Sequence, residues 1–183
     1  MQQTSLRFFR AGRKIGAEGV VVELSGKELV LLSHFRRNAR ESLTKISRVT
    51  RVPVSTIYDK LKHYEMDFVR KHTTLIDFTK LGFMTRANVM LKVSMDDRNA
   101  LRDYLLKHEH VNSLFKVNNG YDYLAELVFK HIKDLEDFLE TVEMKYSIGA
   151  KMVFYVIEDL CREEFMAKPE LVKMEVLAEE KML

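Results

Sequence analysis

The sequence contains one cysteine, two prolines and no tryptophan among its 183 residues. A single cysteine, Cys161, cannot form a disulfide within the chain, which is typical of a protein from a reducing compartment. No apolar run approaches the roughly 18–20 residues that a membrane-spanning helix needs. These absences argue against a secreted disulfide-linked domain and against a membrane protein, and we expect a cytoplasmic location.

The charge of the chain is divided unevenly along its length. The composition, with 46% hydrophobic and 31% charged residues, is that of a folded protein. Residues 1–75 hold 15 Lys and Arg against 7 Asp and Glu, a net charge of +8, whereas residues 76–183 hold 15 against 20, a net charge of −5. The basic part would attract a polyanion and the acidic part would repel one, so we predict two modules with different partners.

Three short helices are predicted in the basic part. Ser25 followed by Glu28 has the spacing of a capping box and predicts the start of the first helix. Ser42 and Ser55 predict the starts of the second and third helices, and Pro53 interrupts the chain between them. Apolar residues at helical spacing are predicted to face inward, namely Leu29, Leu32 and Phe35 (or Leu31 and Phe35), then Leu43, Ile46 and Val49, and lastly Ile57, Leu61 and Tyr64. Residues 68–78 are then predicted to be extended chain that forms a wing or hairpin.

The acidic part alternates between strand and helix periodicity. Its predicted elements are a strand at 86–93, a helix at 96–108, strands at 111–118 and 123–129 joined at Asn119-Gly120, a helix at 134–144 and a strand at 150–157. The order β-α-β-β-α-β is that of a ferredoxin-like sheet with two helices on one face. We therefore predict an α+β protein, with an N-terminal winged helix-turn-helix followed by a ferredoxin-like βαββαβ sandwich domain.

Five segments follow from this pattern. They are an N-terminal extension at 1–24, a helix-turn-helix domain at 25–75, a linker at 76–84, a ferredoxin-like domain at 85–158, and a C-terminal helical extension at 159–183. The C-terminal extension is predicted to be helical from Asp159, broken or restarted at Pro169, and apolar enough to pack on the sheet or on another subunit.

Three alternatives are open for the N-terminal extension. Its basic residues, interleaved with Phe8 and Phe9, are compatible with an arm on DNA. Its apolar triplet at 20–22 is compatible with a strand that pairs with a partner subunit. A tail without fixed structure is the third alternative.

The third helix of a helix-turn-helix enters the major groove of DNA, where base edges present a readable pattern of donors and acceptors. We predict base contacts from Thr56, Asp59, Lys60 and His63, and phosphate contacts from basic side chains around the turn. The candidate DNA-binding residues are Arg36, Arg37, Arg40, Arg48, Arg51, Ser55, Thr56, Asp59, Lys60, Lys62, His63, Arg70 and Lys71. We expect double-stranded DNA as a partner.

Signals for catalysis are weak. His108 and His110 do not share a helical face, and the sequence has no metal-spaced cluster of His and Cys and no phosphate-binding glycine-rich loop. We therefore predict that the protein is not an enzyme, and we predict no metal, no other cofactor and no catalytic residue.

Three segments resemble the Lrp/AsnC family of transcriptional regulators. Residues 46–61 resemble its helix-turn-helix, residues 77–82 its linker and residues 118–123 its Gly-x-Tyr-Asp-Tyr turn. The match covers roughly residues 24–158 in the family's order. It departs from the family pattern at Arg51, where members usually carry glycine, and in the extensions at both ends.

The resemblance implies properties that the residue pattern does not show. Members of the family are prokaryotic regulators that form dimers through their sensing domains, and the dimers often assemble further. The resemblance thus implies a DNA-binding domain at 25–75 and a sensing and dimerisation domain at 85–158. Many bind an amino acid or a similar small molecule in a cleft between sensing domains. The matching effector-binding positions are Gly120, Tyr121 and Asp122. A simpler alternative is that Gly120 and Asp122 serve only the turn.

The leading hypothesis is a sequence-specific DNA-binding regulator that acts as a homodimer or higher oligomer, with an amino-acid effector at a dimer cleft. Two alternatives stay open. One is an architectural, chromatin-like DNA-binding protein with little sequence preference. The other is an enzyme similar to the siroheme decarboxylases, which by resemblance share the two-domain layout.

Overall fold

The computed structural model describes residues 24–180, and these fall into two compact units. The first unit combines residues 24–74 with residues 161–180, and the second spans Leu75–Leu160. The alternatives for the N-terminal extension concern residues outside the described part of the chain. Within that part, the C-terminal segment belongs to the helix-turn-helix unit.

The first unit begins with three helices, α1 (Gly26–Arg37), α2 (Leu43–Thr50) and α3 (Val54–Asp67). The capping box at α1 is confirmed, since the Ser25 N–H and hydroxyl both donate to the Glu28 carboxylate. Ser42 caps α2 as predicted and accepts a hydrogen bond from the Lys45 N–H. At α3 the prediction of the N-cap was wrong by two residues, because the capping position is Pro53.

A small core holds these three helices together. Leu31, Phe35, Ile46 and Ile57 form a buried cluster, with Leu43, Val52 and Leu61 packed against it. The inward position predicted for Val49 was wrong, since its side chain is 61% exposed near the end of α2. All four cluster residues lie at predicted inward positions, Leu31 by the alternative given for α1, and they come from three different helices, so the core joins all three.

A last helix, α6 (Pro169–Glu180), packs on α1. Val172 is buried on it, and a Cβ placed on Gly26 would lie 2.1 Å from the Val176 Cγ1. No side chain fits in that space, so Gly26 permits the close approach of the two helices. The prediction of helix over residues 159–168 was wrong, since they are not helical, but the predicted restart at Pro169 is confirmed, because α6 begins there. Proline suits a first helical position because the N–H that it lacks would have no partner in the helix.

The chain after α3 forms neither helix nor strand over residues 69–77, and it pairs with no strand of the described sheet. The predicted hairpin is therefore absent from the described part of the chain. A short 3₁₀ helix, Phe78–Leu81, follows and ends at Gly82, whose φ is +86°. That left-handed conformation favours glycine and lets the chain turn into the first strand.

The second unit has the predicted order of elements, with strands β1 (Thr85–Val93), β2 (Val111–Lys116), β3 (Tyr123–Phe129) and β4 (Ile148–Tyr155) and helices α4 (Arg98–Lys107) and α5 (Ile132–Lys145). The sheet is antiparallel in the order β2-β3-β1-β4. This is the ferredoxin-like topology, so the predicted α+β fold class is confirmed.

Alternating side chains of β1 and β3 build the core of this unit. Ala87, Val89 and Leu91 are fully buried and pack with Leu101 and Leu105 of α4 and with α5 residues such as Leu139. On the opposite face, no helix among the described residues of the second unit packs on the sheet, and the Met152 and Phe154 side chains are 43% and 47% exposed there. One face of the sheet is therefore covered by helices and the other is open.

A buried polar pair joins α1 to the start of α2. The His34 Nδ1 lies 2.9 Å from the Glu41 Oε2, and the two side chains are only 4% and 3% exposed. Arg37 and Lys45 also reach the Glu41 carboxylate, at 3.2 Å and 3.1 Å. Burial acts to raise the pKa of Glu41, but the hydrogen bonds to His34, Lys45 and Arg37 outweigh it and lower that pKa from 4.5 to about 2. The ionised carboxylate therefore stabilises the folded unit.

This pair predicts an acid-sensitive contribution to stability. Because the pKa of Glu41 is lowered on folding, its contribution is complete above about pH 4.5 and is lost as the pH falls toward 2. Glu41→Gln should lower the free energy of unfolding by about 3 kcal/mol at pH 7, and the difference from wild type should shrink between pH 5 and pH 2. Urea unfolding followed by circular dichroism measures both effects.

Glu65→Gln is the matched control, since the Glu65 carboxylate forms an exposed pair with His72. Exposed pairs of this kind contribute about 0.2–1 kcal/mol. Equal effects of the two substitutions, or a Glu41→Gln effect that does not change with pH, would contradict the structural account.

Candidate nucleic-acid interface

The helix-turn-helix geometry depends on a turn of three residues, Arg51 to Pro53, between α2 and α3. Arg51 ends α2 in the left-handed conformation, with φ +58° and ψ +29°, and its N–H donates to the Ser47 carbonyl oxygen at 2.8 Å. This conformation costs a residue with a Cβ roughly 1–2 kcal/mol. Arg51 therefore occupies a position that suits glycine and carries an exposed guanidinium there.

Burial of one side of α3 determines which residues face outward. Ile57 is fully buried, and Leu61 and Tyr64 follow it at i+4 and i+7 on the same side. The residues away from that side are exposed, namely Ser55, Tyr58, Asp59, Lys62 and His63. These five residues form the outward face of α3. Three of the predicted readers, Thr56, Asp59 and His63, lie on this face or at its margin, and Thr56 is the half-buried one.

Lys60, which was predicted to contact bases, lies outside the outward face of α3. It follows Ile57 by three residues and thus lies toward the buried side of α3, where its Nζ is 2.7 Å from the Glu28 Oε1 of α1. Partial burial acts to raise the pKa of Glu28, but hydrogen bonds to Lys60 and Ser25 outweigh it and lower that pKa to about 2. The structure gives Lys60 the role of joining α3 to α1.

Two further candidates, Arg36 and Arg37, pair with the C-terminal segment. The Arg36 guanidinium binds the Glu163 carboxylate, and its Nε donates to the Phe165 carbonyl oxygen at 3.3 Å. The Arg37 Nη1 lies 3.2 Å from the Glu170 Oε1 of α6. Both guanidinium groups are thus partly neutralised within the first unit, which leaves them less charge for a polyanion.

The other basic candidates keep their charge available. Arg48 and Arg51 lie on either side of the end of α2, and both are exposed. Within residues 24–180, no ion pair involves any of the exposed basic residues Arg40, Arg48, Arg51, Lys62, Arg70 and Lys71. Arg48, Arg51 and Lys62 belong to the helix-turn-helix motif itself, so free positive charge is concentrated at this motif.

Sequence reasoning missed Tyr58. Its side chain is 48% exposed on the outward face of α3, and the Lys62 Nζ lies 4.5 Å from the centre of its ring. The signal was available, since Tyr58 follows the inward Ile57 by one residue and is therefore about 100° around the helix from it. The predicted base contacts were instead assigned to the polar and charged residues near Tyr58.

The candidate effector loop joins β2 to β3. Asn119 and Gly120 both have positive φ angles, +62° and +89°, and the space where a Gly120 Cβ would lie is open. The Asp122 carboxylate accepts a hydrogen bond from the Val93 N–H at 2.9 Å and lies 2.7 Å from the Arg98 Nη2. Tyr121 is half-buried beside it. The local contacts of Asp122 and the conformation of Gly120 are thus those of a turn that ties β3 to β1 and α4.

Residues 24–180 hold no group of three or more His, Cys, Asp or Glu side chains able to bind a metal ion together. None of their helices has the length and apolar character needed to cross a membrane.

The chain matches no protein-family model. It does have sequence relatives in Pyrococcus that are named HTH-type transcriptional regulators. One of them, FL11 of Pyrococcus abyssi, is 23% identical over 113 residues, which cover 61% of this chain and 75% of the relative.

Solved structures support the same architecture. AsnC of E. coli superimposes with a TM-score of 0.69 at 13% identity, over 77% of this chain and 97% of that protein. Transcriptional regulator NMB0573 of Neisseria meningitidis, solved as a complex with L-Met, superimposes with a TM-score of 0.70 at 17% identity, over 76% of this chain and 93% of that protein. The resemblance predicted from residues 46–61, 77–82 and 118–123 is confirmed.

Proposed function

We propose that this chain, which shares the Lrp/AsnC fold and is related to HTH-type transcriptional regulators, is a sequence-specific DNA-binding regulator. The observation that carries the proposal is the outward face of α3. This face is exposed and mostly polar, it lies opposite the buried cluster, and Arg48 and Arg51 of the same helix-turn-helix motif are exposed.

The mechanism follows from this placement. The outward face of α3 enters the major groove, where Ser55, Asp59 and His63 meet base edges that differ between base pairs. Arg48 and Arg51 contact phosphates on the flanks and supply salt-dependent affinity. Arg40, Arg70 and Lys71 are further phosphate contacts. Arg36, Arg37 and Lys60 contribute less, because each is held by a carboxylate of its own unit.

A second copy of the chain completes the DNA-binding form. The open face of the sheet exposes Met152 and Phe154, and Met90 beside them is half-buried. Pairing of two such faces would bury apolar area and place two α3 helices on one duplex, which favours a nearly palindromic operator.

Phe154→Glu should therefore shift the protein toward monomer, since a carboxylate would be buried without a partner. Sedimentation velocity measures the change. Leu106→Glu is the control, because Leu106 is 64% exposed on α4 and lies outside the sheet. A wild-type monomer, or equal behaviour of the two variants, would contradict pairing through the sheet.

A small-molecule effector at residues 120–122 is a finer part of the proposal. The complex of the neisserial protein with L-Met supports an amino acid as the class of ligand. Here a ligand ammonium group would have to replace the Arg98 guanidinium on Asp122, or bind beside it. Such a ligand changes DNA affinity only if it binds two states of the dimer with different affinities.

Titration of DNA binding with salt tests the function and the assignment of charges together. By fluorescence anisotropy, wild type should bind a duplex from its own upstream region more tightly than a scrambled duplex, and log K should fall steeply with log salt concentration. Arg48→Ala and Arg51→Gly should each lower the magnitude of the salt slope by about 0.9, the value expected for one lost phosphate contact. Arg36→Ala is the matched control and should change the slope much less, because Glu163 holds that guanidinium.

Arg51→Gly removes the charge and retains the left-handed turn, so a loss of affinity is not attributable to a distorted turn. Equal binding of the two duplexes would favour the architectural alternative. Absence of binding even at low salt would contradict the proposal. If the purified protein were then coloured by a bound tetrapyrrole, the alternative of an enzyme similar to the siroheme decarboxylases would be favoured.

A further inference from the structure

The outward face of α3 also contains an apolar group, which would have no role if the protein recognised bases through hydrogen bonds alone. Tyr58 is 48% exposed there, and Val54, four residues earlier, is 42% exposed. Residues four apart on a helix are neighbours, so the two side chains form one exposed apolar strip. Neither belongs to the buried cluster that holds α1, α2 and α3 together.

Lys62 lies four residues after Tyr58 on the same side of α3. Its Nζ is 4.5 Å from the centre of the Tyr58 ring, a distance at which an ammonium group is attracted to the face of an aromatic ring. Lys62 therefore restricts the ring from the C-terminal side, while Val54 lies on its N-terminal side. The aromatic ring lies between polar residues, with Asp59 and Ser55 also on the face.

The major groove presents one apolar group on its base edges, the C5-methyl group of thymine. We propose that Tyr58, supported by Val54, contacts a thymine methyl group in the operator and so determines specificity for a T·A pair at one position. Lys62 is the positioning residue for the ring. The inference rests on the proposed function and adds a residue and a base to it.

Replacement of thymine by deoxyuridine removes the methyl group and leaves the hydrogen-bonding pattern of the base pair unchanged. The probe is a duplex enriched from a random pool by the full-length wild-type protein, with its thymines replaced by deoxyuridine one at a time. Removal of a methyl group buried against Tyr58 should weaken wild-type binding about fourfold, the equivalent of one buried methylene group. Tyr58→Ala should bind the original duplex more weakly and should no longer distinguish thymine from deoxyuridine at that position.

Two matched variants sharpen the test. Tyr58→Phe keeps the ring and should retain the sensitivity to the methyl group, which separates an apolar contact from a hydrogen bond made by the hydroxyl. Lys62→Met keeps the aliphatic stem, so it should reduce the sensitivity to the methyl group without abolishing it. Thermal melting followed by circular dichroism verifies that each variant is folded.

The inference is overturned if wild type binds every deoxyuridine duplex as well as the original, or if Tyr58→Ala keeps the fourfold discrimination. Loss of discrimination in Tyr58→Phe would also overturn it, because the hydroxyl would then be the reading group. If wild type enriches no duplex at all, the proposed function fails and this inference fails with it. If wild type enriches a duplex normally but is insensitive to the methyl group, only the inference is contradicted and the proposed function stands.

Discussion

The burial of Ile46 and Ile57 in one core is the constraint on which the rest of the first unit depends. Both side chains are fully buried, one on α2 and the other on α3, with Leu31 and Phe35 of α1 in the same cluster. Only three residues separate the two helices, so this packing fixes which side of α3 faces inward. The opposite side is then exposed whatever its chemistry. Arg51 ends α2 at this tight turn in a left-handed conformation, and its side chain is exposed there, three residues before the start of α3.

The basic side chains of this unit fall into two groups, those paired with carboxylates and those left exposed to meet DNA. Carboxylates on α1, in the loop before α2 and in the C-terminal segment hold Lys60, Lys45, Arg36 and Arg37. Arg48, Arg51 and Lys62 have no such carboxylate among the residues that the structure describes. Because Glu163 and Glu170 lie outside residues 1–75, their pairs with Arg36 and Arg37 make the net charge of +8 over those residues an overestimate of what a polyanion meets. The available part is smaller but is concentrated around the turn.

Local signals in the sequence predicted most of the fold, because the starts of helices, the alternation of strands and the turns depend on residues that are close together along the chain. The alternation at 86–93 and the Asn119-Gly120 turn predicted β1 and the hairpin, and Ser25 with Glu28 predicted the start of α1. The position of α6 and the partners of Lys60 and Arg36 were not predictable in this way. They depend on contacts between residues 32 to 129 positions apart, which periodicity does not encode. The prediction that Val49 faces inward was wrong for a related reason, since an apolar residue near a helix end need not reach the core.

Photo-cross-linking tests the central claim, that the outward face of α3 meets DNA, most directly. Benzoylphenylalanine in place of His63, an exposed residue of that face, should cross-link to the duplex that the protein selects. The same group in place of Lys173, exposed on α6, should not. Cross-linking from position 63 alone is the predicted result. Efficient cross-linking from position 173 with none from position 63 would contradict the account, because DNA would then meet a different surface of the unit.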